Sequence, residues 1–222
     1  MNTNKIGIFY TNNNPKGDSR SPTIDLSLQR IKRASEGKAD IITSVWSNIK
    51  NNPFTEHVSW VKIGGHLNQC LQILHLLYVA KEKQDYEYVC FLEHDVLYPE
   101  GYFDFPDFKE GDCLANMNYI GLKKEGFQKL KQKDRPLHQM VMRFNDAIFH
   151  FETVFRNALV LNHGVVDYPK NVKRYPWLSE HPSVHVNHGH HFTSHYRVFH
   201  NETCDKIDYW GNAEDYSYLF NT

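Results

Sequence analysis

The 222-residue sequence predicts a single α/β domain with a mainly parallel central sheet flanked by helices. Three observations carry that expectation. Runs of strand length stand at residues 5–11, 40–46 and 88–92, and the last lacks polar alternation, as a strand covered on both faces does. Segments of helical length and period lie between them, so strand, helix and strand alternate along the chain. The connections then become right-handed crossovers in a parallel sheet. The chain is long enough for one sizeable core and short for two, so residues 1–222 read as one domain.

Composition excludes several classes of function. The 25 Lys and Arg residues balance 26 Asp and Glu, for a formal net charge of -1, so no global field favours nucleic acid or an anionic membrane. Any such partner has to meet a local patch. Cys70, Cys90, Cys113 and Cys204 lie far apart with no CxxC pair, which reads as reduced thiols in a cytosol. The most apolar segment, residues 73–80, contains His75 and is too short to span a bilayer. The expectation is a cytoplasmic protein without a signal peptide.

In chain order, residues 5–11 form a first strand running into Asn12-Asn13-Asn14-Pro15-Lys16-Gly17-Asp18, a turn-rich loop able to hold a nucleotide. It matches neither GxGxxG nor a P-loop. Ser21 and Pro22 open a helix with Ile24, Leu28 and Ile31 on one face, and Gly37 ends it. Residues 51–55 read as loop. Residues 66–84 give the clearest helix, with Leu67, Cys70, Leu71, Leu74, Leu77 and Tyr78 at helical spacing and Asn68 and Gln69 in the first turn. Residues 99–111 read as irregular and residues 113–122 as one strand with Asn116 and Asn118 on a face. Lys123, Lys124, Lys129, Lys131, Lys133 and Arg135 concentrate positive charge that would suit phosphates. A helix is expected over about residues 136–155, with Gln139, Arg143, Asp146 and His150 as its polar stripe. A short strand is expected at 158–161, followed by a mostly irregular tail.

Chemistry is expected where the run at 88–92 stops at Glu93, His94 and Asp95, because ligands of open α/β sheets collect at the carboxyl ends of strands. Seven of the 14 histidines fall at His181, His185, His188, His190, His191, His195 and His200, without HExxH spacing. Mg²⁺ and Mn²⁺ prefer carboxylate and phosphate oxygens, and Mn²⁺ also accepts imidazole. Asp95 and Glu93 with a distal His188 or His191 therefore describe a metal gripping a diphosphate.

These residues resemble the glycosyltransferases of the GT-A fold, whose pattern includes a DxD motif and a late histidine. More narrowly, residues 93–99 resemble an EHDVLYP stretch of a phage and bacterial branch. Residues 185–193 resemble that branch's DIRHGxNLT segment. His185 stands where the pattern has an acid, Asn187 where it has Arg and His191 where it has Asn, while His188, Gly189 and Thr193 are retained. Gln139 matches the second member of a Ser-Gln pair whose first member is His138 here.

The resemblance implies a nucleotide-sugar half over about residues 1–100 and an acceptor half over about 101–222. Thr11, Asn12, Asn13, Glu93, His94, Asp95, Gly189 and Thr193 would line the site of a UDP-linked donor, with Mn²⁺ or Mg²⁺ as cofactor. Asp146, and Glu93 beside the donor, are the candidate catalytic carboxylates. The favoured acceptor is a hydroxymethylated base in phage DNA within the host cytoplasm, tracked by the lysine patch; a surface glycan or lipid-linked acceptor is the alternative. A different class, a non-catalytic histidine-rich protein that binds metal or carbohydrate, would take Zn²⁺ or Ni²⁺ without nucleotide affinity. A metal-dependent hydrolase lacks the ligand spacing.

Overall fold

A computed structural model describes residues 3–12, 21–59, 66–130, 137–161, 173–186 and 198–220. Its strands are β1 (Lys5–Tyr10), β2 (Asp40–Val45), β3 (Thr55–Val58), β4 (Tyr88–Glu93), β5 (Val96–Leu97), β6 (Asp112–Asn116), β7 (Tyr119–Lys123), β8 (Gly126–Leu130), β9 (Met140–Arg143), β10 (Lys173–Trp177), β11 (Ser183–Val186) and β12 (Val198–Cys204). The helices are α1 (Ser21–Ser35), α2 (His66–Lys83) and α3 (Phe144–Leu161). The main sheet has the order β10-β6-β9-β4-β1-β2-β3. Only β9 runs against the others in it.

The absence of polar alternation in β1 and β4 has its cause in the two covered faces. Ile6, Ile8, Val89 and Phe91 pack under α2 and α3. Phe9, Tyr88, Cys90 and Leu92 point the other way, toward α1 and the aromatic segment 98–108. That segment has no regular structure, as expected, because Tyr98, Tyr102 and Phe103 are spent filling the core. Gly37, at φ 67°, takes the left-handed position that ends α1.

A second sheet, of order β12-β8-β7-β11-β5, packs Leu97, Leu122, Phe127, Val184 and Val186 against Trp210, Tyr216 and Leu219. The chain passes from the main sheet to this one at residues 93–96, 116–119 and 177–183, and returns between β5 and β6 and again between β8 and β9. The Glu93-His94-Asp95 stretch is the first of these crossings.

Four expectations of local structure are corrected. Residues 113–122 are two strands, because Asn118 N–H is taken by Asn116 Oδ1 (3.0 Å) and Met117 N–H by the Trp177 carbonyl (2.9 Å), which breaks the run between sheets. The helix expected from about 136 begins at Phe144. Met140–Arg143 instead fills the sheet position between β4 and β6, where its continuous apolar run is equally at home. Residues 158–161 are the last turn of α3 rather than a strand. Finally, β10, β11 and β12 arise in the tail read as mostly irregular, where the proline-bearing β10 carries no apolar run, and the polar edge strand β3 starts at the last residue of the 51–55 loop.

Gly7 lies in the middle of β1, where a Cβ would come 2.5 Å from Ile41 Cδ1 and 2.8 Å from Leu92 Cδ1. Gly7→Ala should cost about 1–3 kcal/mol by overpacking. A urea titration reads this as a lower midpoint at unchanged slope, and an unchanged midpoint would show that the two methyl ends yield freely.

Candidate functional site

The order of the main sheet sets the position of the site. From β1 the chain winds outward through α1 to β2 and β3, then α2 carries it back to β4 on the other side of β1. The winding reverses between β1 and β4, and ligands of such sheets bind outside the carboxyl ends of the strands at that reversal. Tyr10 and Glu93, the last residues of the two strands, are paired in register there.

Glu93 is the hub of this edge. Its Oε1 accepts from the Tyr10 hydroxyl at 2.6 Å and from Gln69 Nε2 at 3.3 Å. Its Oε2 faces His138 Nδ1 at 2.8 Å, and His138 Nε2 faces His185 Nε2 at 2.7 Å. Three separate elements meet in this line: the end of β4, the 3-10 turn Leu137–Gln139 and β11. Their backbones are fixed independently. Glu93 N–H donates to the Tyr98 hydroxyl (2.9 Å), while the Tyr98 and Tyr102 hydroxyls donate to the His138 carbonyl (3.3 and 3.1 Å). Val186 N–H donates to the Asp95 carbonyl (2.8 Å), and Ser27 Oγ in α1 donates to the Val96 carbonyl (2.7 Å).

The charges follow from this packing. Burial works against a charged Glu93, but the facing His138 and the bonds from His138 and Tyr10 outweigh it and bring the carboxyl down to about 2. Burial, with His138 alongside, pushes His185 well below the ordinary histidine value despite the pull of Glu93, so His185 is neutral. An ionised Glu93 requires the proton on His138 Nδ1, and a single proton serves the two facing Nε2 atoms.

A second buried polar group lies against the first. Asn116 Nδ2 donates to Gln139 Oε1 (3.1 Å) and Ser179 Oγ (3.0 Å), and Asn116 Oδ1 accepts from Ser179 N–H (3.2 Å). Several buried polar atoms at this edge have no partner: Thr11 Oγ1, Ser44 Oγ, Asp95 Oδ1 and Gln139 Nε2. They belong to the carboxyl ends of β1 and β2, the turn after β4 and the start of β9, which neighbour one another in the sheet. Unpaired buried polar atoms are uncommon, and these four lie along one edge.

The expected residues divide accordingly. Thr11, Glu93, His94 and Asp95 lie at this edge, and exposed Asn12 follows Thr11. Asn13, His188, Gly189, His191 and Thr193 lie outside the described residues. Asp146 does not join Glu93. Because β9 is antiparallel to β4, Arg143 pairs with Tyr88, so α3 starts at the amino end of β4, where Asp146 Oδ2 accepts from Gly111 N–H at 2.8 Å. Six residues of strand, roughly 17–20 Å, separate that end from Glu93. The stripe of Gln139, Arg143, Asp146 and His150 is likewise divided among a 3-10 turn, a strand and a helix.

Glu93 Oε1 takes two protein donors and Oε2 one, which leaves a lone-pair site on Oε2 for a cation. Asp95, with an unpaired carboxylate oxygen, does fit a cation. Among the described residues no three His, Cys, Asp or Glu side chains gather as a metal site. Of the late histidines, His181 stacks on Tyr209 at 3.9 Å and His185 is committed to His138. His138 and His185 are not singled out as a pair by the sequence, because 47 residues separate them and each stands as a departure from the pattern around it. Lys123, Lys124 and Lys129 lie on the β7–β8 hairpin; Lys131, Lys133 and Arg135 are outside the described residues. A separate cavity of about 570 Å³, lined by Lys32, Asp40, Phe54 and Lys83, opens at the amino end of β2, away from the Glu93 edge.

Fold and edge together define an α/β protein with a group of buried, unpaired polar atoms at the reversal of its main sheet. No family model and no characterised protein matches the sequence. Among solved structures, the chain is similar to a glycosyltransferase involved in the glycosylation of the major capsid of PBCV-1, with 10% identity, a TM-score of 0.47, and 81% of this chain and 91% of that chain covered. It is also similar to the mannosyltransferase PcManGT from Pyrobaculum calidifontis in complex with GDP-Man and Mn²⁺, with 11% identity, a TM-score of 0.44, and 84% and 57% covered. Likenesses of this degree assign no family. Among the described residues no helix is long and apolar enough to cross a membrane.

The buried charges set an acid limit. His185 and His150, the latter brought down to about 4 chiefly by burial, fold neutral, so the unfolded chain binds more protons below about 6.5. Glu93 adds a loss as pH falls from about 4.5 toward 2, since its carboxyl is lower in the folded state. Urea midpoints should decline steadily from pH 7 to pH 4; a flat profile over that range would contradict the neutral histidines.

Proposed function

We propose that this protein is a glycosyltransferase of GT-A type that moves a sugar from a nucleotide-sugar donor to an acceptor hydroxyl. The observation that carries the reading is the polar edge at the β1–β4 reversal, where Thr11 and Asp95 present unpaired oxygens at the end of a nucleotide-binding type of sheet. The resemblance of residues 93–99 and 185–193 to the glycosyltransferase branch supports the same site. The two similar structures bear glycosyltransferase names, and the second was solved with a sugar nucleotide and Mn²⁺.

In this reading Thr11, Asn12 and Asn13 hold the nucleotide of a UDP-linked donor, and His94, Gly189 and Thr193 complete its surroundings. Asp95 holds Mn²⁺ or Mg²⁺ together with His188 or His191. When bound, the cation offsets negative charge on the leaving diphosphate. Gln139 Nε2 is a fixed donor for a donor oxygen, because Asn116 holds the other end of the amide. Glu93, held by Tyr10, Gln69 and His138, is the second carboxylate candidate beside Asp95. Asp146 is too far from this edge to serve as its base, so the acceptor's proton goes to another group.

For the acceptor, the reading keeps a hydroxymethylated base in phage DNA, met by Lys123, Lys124 and Lys129 on their hairpin. A surface glycan is the second possibility. The non-catalytic alternative, a histidine-rich metal binder, is not favoured by His181 and His185, which pair with different partners.

The test incubates the protein with UDP- and GDP-sugars, with Mn²⁺ or with chelator, and follows release of the nucleoside diphosphate. Turnover or binding with at least one donor is expected, and Asp95→Asn should lower it by at least tenfold with the melting temperature unchanged. Failure to bind any donor, with stoichiometric Zn²⁺ uptake, would support the alternative. If DNA is the acceptor, Lys124→Glu with Lys129→Glu should weaken DNA binding and flatten its salt dependence.

A further inference from the structure

We infer that His57 on β3 and His75 on α2 form a cation site apart from the Glu93 edge: two imidazoles that take a divalent transition ion such as Zn²⁺ and tie the edge strand of the main sheet to the helix above it. The inference goes beyond the proposed function and does not rest on it.

The sheet register places the site. Glu93 pairs with Tyr10, Tyr10 with Ser44 and Ser44 with His57, so one row of residues crosses four strands. His57 ends that row, three strands or about 14 Å from Glu93 at the usual strand spacing. Helix α2 is held over the row by Gln69, which donates to the Tyr10 hydroxyl at 2.9 Å, and by Gln72, which donates to the Thr11 carbonyl at 3.1 Å. One turn further on, the exposed His75 ring meets His57 edge-on, with centroids 5.5 Å apart and planes at 74°.

An aromatic contact alone would account for the rings, since such pairs pack edge-on at about 4.5–7 Å. It leaves the polar atoms unexplained. His57 Nε2 is buried without a hydrogen-bond partner, and so is Ser44 Oγ beside it in register. Two imidazoles that share one ion at about 2.0–2.1 Å and a tetrahedral angle have centroids about 5 Å apart, close to the separation seen here. An ion between His57 and His75 satisfies the first orphan, and the Ser44 hydroxyl can accept from water in the ion's remaining positions.

The ligand set selects the ion. Imidazole suits Zn²⁺, Cu²⁺ and Ni²⁺ better than Mg²⁺, and it binds them only when neutral. Burial first, then His75 and Lys83, hold His57 below the ordinary histidine value. Lys83, two turns beyond His75 in α2, is the charge that opposes a cation. Glu56 takes no part, since its Oε2 accepts from Ile49 N–H (3.1 Å) and Asn52 Nδ2 (2.8 Å). The site therefore offers two protein ligands among the described residues. Its effect is mechanical: β3 has a strand neighbour on one side only, and the ion gives it a second attachment.

The test titrates Zn²⁺ alone into the parent, His57→Gln and His75→Gln, following the ring nitrogens of both histidines by proton and nitrogen magnetic resonance. In the parent the two rings should shift together along one saturation curve. In each variant the remaining ring should bind at least tenfold more weakly. His75→Gln, at an exposed helical position, carries the test alone if His57→Gln fails to fold. Lys83→Gln should tighten binding at the two rings by about threefold. Amide exchange at residues 55–58 should slow on Zn²⁺ addition in the parent and not in His75→Gln, a difference that zinc on other histidines does not make.

Rings that stay in place at saturating Zn²⁺, or that shift along separate curves, would overturn the inference. So would an undiminished response of the His57 ring, or equally slowed exchange at 55–58, in His75→Gln. Nucleoside diphosphate release from a sugar donor should be the same in His75→Gln as in the parent, so the inference and the glycosyltransferase reading fail separately.

Discussion

The hydrogen bond between Glu93 and His138 is the contact on which the rest of this edge depends. It joins the end of the central strand to the turn that leads into the one reversed strand, and through His185 it reaches the second sheet. The Glu93 side chain is 23% exposed and keeps Tyr10 and Gln69, so losing His138 costs less than the about 3–5 kcal/mol of a fully buried pair. The contact ties the two sheets together where they meet. Its polar character also makes the meeting specific, because an imidazole between a carboxylate and a second imidazole admits few orientations.

The crossings between the sheets explain why so many polar residues are buried together. Each time the chain leaves one sheet for the other, backbone groups lose their ladder partners and need side chains in their place. Asn116 supplies them at one crossing, Ser179 and Ser183 lie at another, and Tyr98 and Tyr102 hold the His138 carbonyl at the return. This leaves Thr11, Asp95 and Gln139 with unpaired atoms, fixed in place by neighbours that are fully occupied. Rigid surroundings with a few free polar atoms are what a binding site requires, since little ordering remains to be done when the ligand arrives.

Much of the first half was legible because its strands and helices carry strong apolar periods: the expected spans 5–11, 40–46, 66–84 and 88–92, and the helix opened by Ser21, match their elements closely. The carboxyl end of β4 could be singled out for the same reason. The second half was less legible because its elements are set by tertiary position. Met140–Arg143 has an apolar pattern that serves a helix or a strand, and becomes a strand by filling the space between β4 and β6. That reversal moves Asp146 to the far edge, a consequence invisible in residue spacing. His138 and His185 are both departures from the pattern the sequence resembles, and they are the two that touch. A single sequence offers no sign of such a pairing over 47 positions.

In the proposed function the β1–β4 reversal, and not the cavity at the amino end of β2, receives the nucleotide portion of a donor. Amide hydrogen exchange with and without a bound nucleotide sugar tests this directly. Slowed exchange is expected at residues 10–12, 93–97 and 137–139, with no change around Lys32, Asp40 and Phe54 at the opposite end of β2. Slowed exchange confined to that opposite cavity, or bound nucleotide that leaves residues 93–97 unaffected, would contradict it.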